Sequence, residues 1–214
     1  MTKLAPSLFA ANPLYLKEAI DDISRFGDIL HLDIMDGHFV PNIALGIDVC
    51  AVACKNSTVP CFAHLMVKNP DFYIKIFGNM GTKAFVWHIE TNVDHMKMIN
   101  ETKEMGMTPG LAISPDTPVQ KLEPYKNELG LITLMSIYPG FSGQSFMPGS
   151  IPRISAIRDF FDGDIEVDGG VSLENAKSLV DASATILVSG SSFFKSNDKQ
   201  GFANTIRSLS RSNK

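Results

Sequence analysis

The chain has 214 residues, 19 of them Lys or Arg and 23 Asp or Glu, for a net charge of −4. That length suits one domain with a sizeable core, and the acidic balance, with no basic stripe, argues against a nucleic-acid partner. No run is apolar enough to cross a bilayer, no basic-then-apolar segment opens the chain, and its 3 cysteines make an odd count; these features argue against a membrane partner or a secreted disulfide framework, and a cytoplasmic protein is expected.

The first strand is short, Leu4-Ala5-Pro6-Ser7-Leu8. Asn12-Pro13 starts a helix, apolar residues recur at helical spacing from Leu14 to Phe26, and Gly27 stops it. The second strand leads from Asp28-Ile29-Leu30 into His31-Leu32-Asp33-Ile34-Met35. Pro41-Asn42 and Gly46 mark a loop, and a helix covers Ile47 to Lys55. The third strand spans Pro60 to Met66, and Asn69-Pro70 opens a helix that reaches Met80, with Gly81 after it. Ala84 to His88 is the fourth strand, Val93 to Met105 a helix closed by Gly106, and Thr108 to Ile113 the fifth strand. A loop from Ser114 to Pro118 leads into a short helix, and Leu131 to Ser136 is the sixth strand. A Gly-rich loop from Pro139 precedes a helix over Ile151 to Phe161. Ile165 to Asp168 is the seventh strand, Leu173 to Val180 a helix, Thr185 to Val188 the eighth strand, and Ala203 to Leu209 a terminal helix.

This unbroken alternation predicts an α/β protein with a parallel sheet. Eight units with no second domain left over predict a (β/α)8 TIM barrel filling residues 1–214 as a single domain. A doubly wound open sheet would gather its polar strand ends near one switch point, whereas here they recur on many strands.

Strand side chains alternate faces, so His31, Asp33 and Met35 share one side of the second strand while Leu32 and Ile34 take the other. Active sites of such barrels lie at the C-terminal strand ends. The candidates there are Ser7, His31, Asp33, Met35, His64, Met66, His88, Met135, Ser136 and Asp168. The imidazoles of His31 and His64 with the carboxylates of Asp33 and Asp168 suit one divalent metal ion, such as zinc, iron, manganese or cobalt. His88 is a rival ligand, or a group standing behind the ligands. His38 is read as a loop-structuring residue and His95 as a helix-surface one. Glu166 is read as an inward carboxylate that needs a partner. Cys50, Cys54 and Cys61 are read as buried free thiols rather than a zinc site.

Three glycine-bearing ends come late in the chain: Gly140-Phe141-Ser142-Gly143, Gly169-Gly170 and Gly190-Ser191. Bare backbone N–H groups after strands seven and eight can hold a phosphate without Lys or Arg. They predict a small phosphorylated substrate despite the acidic chain.

With these residues assembled, the chain resembles the ribulose-phosphate 3-epimerase family over nearly its whole length. The motifs are Ala5-Pro6-Ser7, the run from His31 to Asn42, His64-Leu65-Met66, the run from Met135 to Gln144, Val167 to Val171, and Gly190-Ser191. The resemblance implies a ribulose-phosphate-binding barrel and an isomerase of the pentose phosphate pathway. It implies one divalent metal on His31, Asp33, His64 and Asp168, with Asp33 and Asp168 also the proton-transfer pair. Ser7 and His64 would touch the sugar, and Gly140, Phe141, Ser142, Gly143, Gly169, Gly170, Gly190 and Ser191 would hold substrate, chiefly its phosphate. Met35, Met66 and Met135 would lie beside the reacting carbons, and self-association is expected. Tyr138, Ser142 and the run Phe9-Ala10-Ala11-Asn12 depart from the family pattern and bear on substrate preference more than on reaction type.

The implied reaction is proton transfer at C3 of a ketopentose phosphate through an enediolate, converting D-ribulose 5-phosphate to D-xylulose 5-phosphate. A hexulose phosphate such as allulose 6-phosphate is the neighbouring alternative. A related barrel decarboxylase would carry Asp-x-Lys-x-x-Asp on the second strand, and Met35 and His38 stand where that pattern needs Lys and Asp. A non-catalytic sugar-phosphate sensor is the reading from another class.

Overall fold

The computed structural model describes residues 1–211. Its strands are β1 (Lys3–Pro6), β2 (Leu30–Asp36), β3 (Ile43–Ala44), β4 (Cys61–Met66), β5 (Ala84–His88), β6 (Thr108–Ile113), β7 (Leu131–Met135), β8 (Asp164–Asp168) and β9 (Ile186–Ser189). The helices are α1 (Leu16–Phe26), α2 (Ile47–Asn56), α3 (Ile74–Asn79), α4 (His95–Glu104), α5 (Ser150–Arg158), α6 (Leu173–Asp181), α7 (Ser191–Phe194) and α8 (Lys199–Ser208). The sheet runs β1-β9-β8-β7-β6-β5-β4-β2-β3 and is parallel throughout, except for the β2–β3 pair. A parallel bridge between Ser7 and His31 joins β1 to β2, and the Asp28 N–H donates to the Leu4 carbonyl at 2.8 Å. Eight parallel strands therefore close on themselves as the predicted (β/α)8 barrel.

Strand parity sorts the side chains into two cores. Leu30, Leu32, Ile34, Ala63, Leu65, Phe85, Trp87, Ile132, Leu134, Ile165, Val167 and Leu187 point outward, into one apolar cluster with the helices. Each large side chain buried there contributes roughly 1.5–3 kcal/mol. Helix α1 shows the matching pattern: Ala19, Ile20 and Ile23 lie on one buried stripe, while Lys17 and Asp21 face solvent. Inside the barrel, the lower layer is Ala5, Ile29, Ala84, Val86, Ala112, Leu131, Ile186 and Val188. Above it, the inward side chains are polar and buried: His31, Asp33, His64, His88, Thr133 and Glu166.

Three local features add to or differ from the sequence reading. The loop after β2 contains the two-residue strand β3, folded back antiparallel so that Met35 pairs with Ala44. The short helix expected between β6 and β7 is present and takes 3-10 form over Val119–Tyr125, with Pro124, which has no N–H to donate, near its end. The terminal helix begins earlier than expected, at Lys199, where the Asp198 carboxylate caps the Gly201 N–H at 2.8 Å.

Candidate metal centre and substrate cleft

Strand register builds the centre. Asp33 sits opposite His64 and Met35 opposite Met66 across β2–β4, while Met135 sits opposite Asp168 across β7–β8. A common inward parity then brings His31, Asp33, His64 and Asp168 together, with one ligand atom of each within 4.8 Å of the others. Asp33 Oδ1 and Asp168 Oδ2 lie 3.0 and 3.3 Å from His64 Nδ1, and Asp33 Oδ2 lies 3.3 Å from His31 Nδ1. Metal–ligand bonds of ~2.0–2.2 Å place adjacent donors roughly 3.0–3.5 Å apart. The four residues fit one ion, and two buried carboxylates facing two imidazoles supply the charge a divalent cation would balance.

The electrostatics of the two aspartates diverge. Burial pushes the Asp33 pKa up, but His31 and His64 outweigh it and hold the carboxyl well below its ordinary range. Burial and then the Asp33 charge raise the Asp168 pKa, with His64 opposing them. The Asp33 side chain is 5% exposed and that of Asp168 13%, so Asp168 is the more open to the cleft. Burial alone would lower both ligand imidazoles; Asp168 and Asp33 instead lift His64 to about 9, and Asp33 and Glu166 lift His31 well above its usual value.

The predicted partner of Glu166 is identified. Its Oε1 accepts from Thr133 Oγ1 at 2.8 Å and lies 3.3 Å from His31 Nε2. His88 does not join the four-donor group. Its Nε2 stands 3.0 Å from His64 Nε2, and its Nδ1 stands 3.1 Å from Glu90 Oε2. Glu90 escaped the sequence reading because it lies two residues past His88, beyond the end of β5. His95 is not a surface residue: it is half-buried and accepts from Trp87 Nε1 at 3.0 Å, stacked on the indole ring. His38 holds loop backbone as expected, with Nδ1 2.9 Å from the Asp36 carbonyl, although its ring is exposed. Of the three thiols, Cys50 and Cys61 are buried and Cys54 is only partly so.

Above these four residues opens a cleft. Its floor is Ser7, Asp33, Met35, Met66, Met135 and Asp168; its walls include Gly140, Phe141, Ser142, Gly143, Gly169, Gly170, Gly190 and Ser191. His31 and His64 lie beneath this floor and have no exposed surface. Ser7 Oγ donates to Asp33 Oδ2. Ser136, a candidate from its place at a strand end, is buried and donates to the Gly169 carbonyl, so it shapes the turn rather than facing the cleft. Gly169 has φ +116° and a Cβ there would come 2.3 Å from Ile137; Gly170 has φ +63° and a Cβ would come 2.7 Å from the Phe146 amide nitrogen. Only glycine fits either place. Among the described residues, no Lys or Arg lines the cleft.

Comparison with known proteins decides the family. A profile described as the ribulose-phosphate 3 epimerase family matches residues 3–194. The chain belongs to that family. It is 36% identical to the ribulose-phosphate 3-epimerase of Bacillus subtilis (strain 168) over 97% of this chain and 99% of the relative. It is 38% identical to the cytoplasmic isoform of Oryza sativa subsp. japonica, over 90% of this chain and 87% of that one. Among solved structures, a mutant tryptophan synthase alpha-subunit from Pyrococcus furiosus superposes with a TM-score of 0.71 at 15% identity, over 98% of this chain and 99% of that one, a likeness of fold alone. Phe9, Ala10, Ile137, Pro139, Gln144 and Ser192 also line the cleft and were not assigned to the site from sequence. Gln144 braces the loop by donating to the carbonyls of Tyr138 and Phe141, and Asn42 donates to that of Gly140 at 2.7 Å.

Proposed function

We propose that the chain is a metal-dependent isomerase that epimerises D-ribulose 5-phosphate and D-xylulose 5-phosphate at C3. The observation that carries this reading is the pair Asp33 and Asp168, reaching the cleft floor from β2 and β8 with their pKa values pushed in opposite directions. Proton transfer at one carbon with inversion needs one group to take a proton and another to return one. Asp33, kept ionised by His31 and His64, is fitted to take it. Asp168, whose proton is held more tightly, is fitted to give one from the other side, and the two exchange tasks when the reaction runs backward. His31, Asp33, His64 and Asp168 would hold one divalent ion, which would supply Lewis-acid stabilisation of the negative charge that develops on the substrate; zinc, iron, manganese and cobalt all suit this mixed nitrogen and oxygen set.

The remaining groups position and enclose. Ser7 orients Asp33 and meets the sugar oxygens; His64, expected from the resemblance to touch the sugar as well, is fully buried beneath the floor and serves the ion site alone. Met35, Met66 and Met135, each nearly buried, form an apolar wall that keeps water from the reacting carbon. Backbone N–H groups around Gly140, Phe141, Ser142, Gly143, Gly169, Gly170, Gly190 and Ser191 receive the phosphate, a role supported by the lack of cationic side chains among the described residues of the cleft lining. Three free thiols support a reducing, cytoplasmic setting for this one-domain enzyme, and among the described residues no helix is long and apolar enough to cross a membrane. Self-association is supported by the exposure of Leu14, Ile43 and Phe72.

The test is hydrogen exchange at C3 of D-ribulose 5-phosphate in deuterated water, with and without a chelator. Exchange and xylulose 5-phosphate formation are expected together, both lost to the chelator and both restored by a divalent ion. Turnover indifferent to chelation would overturn the metal's part, and no exchange at C3 would overturn the reaction itself.

A further inference from the structure

Behind the candidate metal centre a chain of polar groups runs from two buried histidines out to the exposed Glu90, and the epimerisation chemistry leaves it without a task. His64 turns Nδ1 toward Asp33 and Asp168 and Nε2 toward His88 Nε2, 3.0 Å away. His88 turns Nδ1 toward Glu90 Oε2 at 3.1 Å, with Ser114 Oγ a more distant neighbour at 3.4 Å. Glu90 is itself fixed, for its Oε1 accepts the Ser114 N–H at 2.8 Å. The Ser114 and Thr117 carbonyls accept in turn from Arg153 at 3.0 and 2.6 Å. Both histidines are fully buried, and the Phe39 ring lies against His88 with its centroid 4.7 Å away.

Donor and acceptor accounting gives this chain one direction. A carboxylate only accepts, so Glu90 requires the proton of a neutral His88 to sit on Nδ1. His88 Nε2 then carries a lone pair. Two ring nitrogens 3.0 Å apart share one proton, so His64 Nε2 must be the donor. That leaves His64 Nδ1 as the atom able to give its lone pair to a metal, and Nδ1 is the atom that faces the two aspartates. The opposite polarity would aim two lone pairs, on His88 Nδ1 and on Glu90, at each other. His31 has its carboxylate close by, Glu166 at 3.3 Å from Nε2. For His64 the carboxylate stands one imidazole further out.

We infer that His88 and Glu90 are positioning residues that fix the tautomer and ring orientation of His64, so that Nδ1 is presented to a divalent cation. The inference rests on the metal-dependent reading above. Partners standing behind a metal-binding imidazole typically change metal affinity by about 10–100-fold when removed.

Three variants test it: His88→Leu, which removes the acceptor; His88→Gln, whose side-chain oxygen can still accept from His64; and Glu90→Ala, which frees the His88 tautomer. Zn2+ affinity is measured by competition with a chromogenic chelator. His88→Leu and Glu90→Ala are expected to bind Zn2+ about 10–100-fold more weakly than the parent chain, with His88→Gln recovering most of the loss. Nitrogen-15 spectra of histidine-labelled, metal-free protein give the second readout: His88 should appear protonated on Nδ1 and bare on Nε2. Thermal melting of each metal-free variant checks the fold, and Glu90→Ala carries the test if His88→Leu does not fold.

Unchanged Zn2+ affinity in Glu90→Ala, equal losses in His88→Gln and His88→Leu, or a His88 protonated on Nε2 alone would each overturn the inference. Failure of the metal-dependent reading looks different. The parent chain itself would bind no Zn2+, while the nitrogen-15 spectrum would still report which way the chain of protons runs.

Discussion

The two ends of the barrel lumen are built from the same strands with the same alternation, yet they hold opposite chemistry. Val86 and His88 are neighbours on the inner face of β5; one belongs to the lower apolar layer and the other to the polar chain behind the metal centre. Leu131, Thr133 and Met135 climb β7 in the same way, from apolar packing, through a hydrogen bond to Glu166, to the floor of the cleft. The lower layer has no polar group to satisfy and gains free energy from burial alone. The upper layer buries five titratable side chains, His31, Asp33, His64, His88 and Glu166, whose desolvation is offset by one another and by contacts with Ser7, Glu90, Thr133 and Asp168. Stability is thus concentrated low in the lumen, and the groups costly to bury are concentrated high, next to the cleft that uses them.

The sharpest break of this division comes from Asp168→Asn. Asparagine keeps the shape and an oxygen donor but cannot carry the proton. The expected outcome is a kcat lower by about 10²–10⁴-fold, with the fold retained in circular dichroism. An enzyme that kept its parent turnover would remove Asp168 from the proton path.

Second in size is the dependence of the metal-free protein on pH. The pKa of His64 in the fold is raised from its ordinary 6.5 to about 9. A raised pKa stabilises the fold fully below about 6.5, and that contribution is lost as the pH climbs through 9. The amount at stake is about 3 kcal/mol. Chelated protein should therefore melt at progressively lower temperature between pH 6.5 and 9, whereas divalent cation, taking the place of the Nδ1 proton, should protect the fold across that window. Melting curves recorded with and without the ion make the comparison, and a flat metal-free profile would mean the upper layer is not under this strain.

How far this division is legible in the sequence differs from residue to residue. The period-two pattern places His31, Asp33 and Met35 inward and Leu32 and Ile34 outward, as the structure has them. Strands β5 and β6 lie at the bounds read from their apolar runs. What escapes is set by contacts between distant residues. The strand β3 follows a tight turn in which the Asp36 carboxylate accepts the N–H groups of His38, Phe39 and Lys68, and nothing in the run from Pro41 to Gly46 announces it. His95 reads as a helix-surface residue from its local pattern, but its place at the start of α4 sets it against the Trp87 indole. Glu90 has meaning only once His88 and Ser114 stand on either side of it.

The lower layer is tested by Gly110→Ala. Gly110 faces the lumen from β6, where a Cβ would come 2.9 Å from Val86 Cγ2 and 3.1 Å from the Leu131 carbonyl oxygen. Neither neighbour can yield freely, since one is a branched side chain in a packed layer and the other is backbone. Overpacking of this kind costs about 1–3 kcal/mol. The variant is expected to unfold at lower denaturant concentration while each folded molecule keeps its kcat. A large loss of kcat at full folding would show that the two layers are mechanically coupled rather than divided.

The rim of the barrel should respond least. Tyr138 Oη donates to Asp116 Oδ1 at 3.0 Å, joining the loop after β7 to the loop after β6, and its side chain does not line the cleft. The residue is 49% exposed, so water replaces the lost hydrogen bond when the hydroxyl is removed. The same loop keeps its other fastenings, from Asn42 to Gly140 and from Gln144 to Tyr138 and Phe141. Tyr138→Phe should therefore change stability by less than about 1 kcal/mol, with KM for ribulose 5-phosphate moved no more than the few-fold this energy allows. Steady-state kinetics on the purified variant decide the matter. If kcat/KM fell by more than about 10-fold, which corresponds to about 1.4 kcal/mol, then the exposed latch would be part of the binding surface. The boundary between working groups and bystanders would have to be drawn outside the lumen.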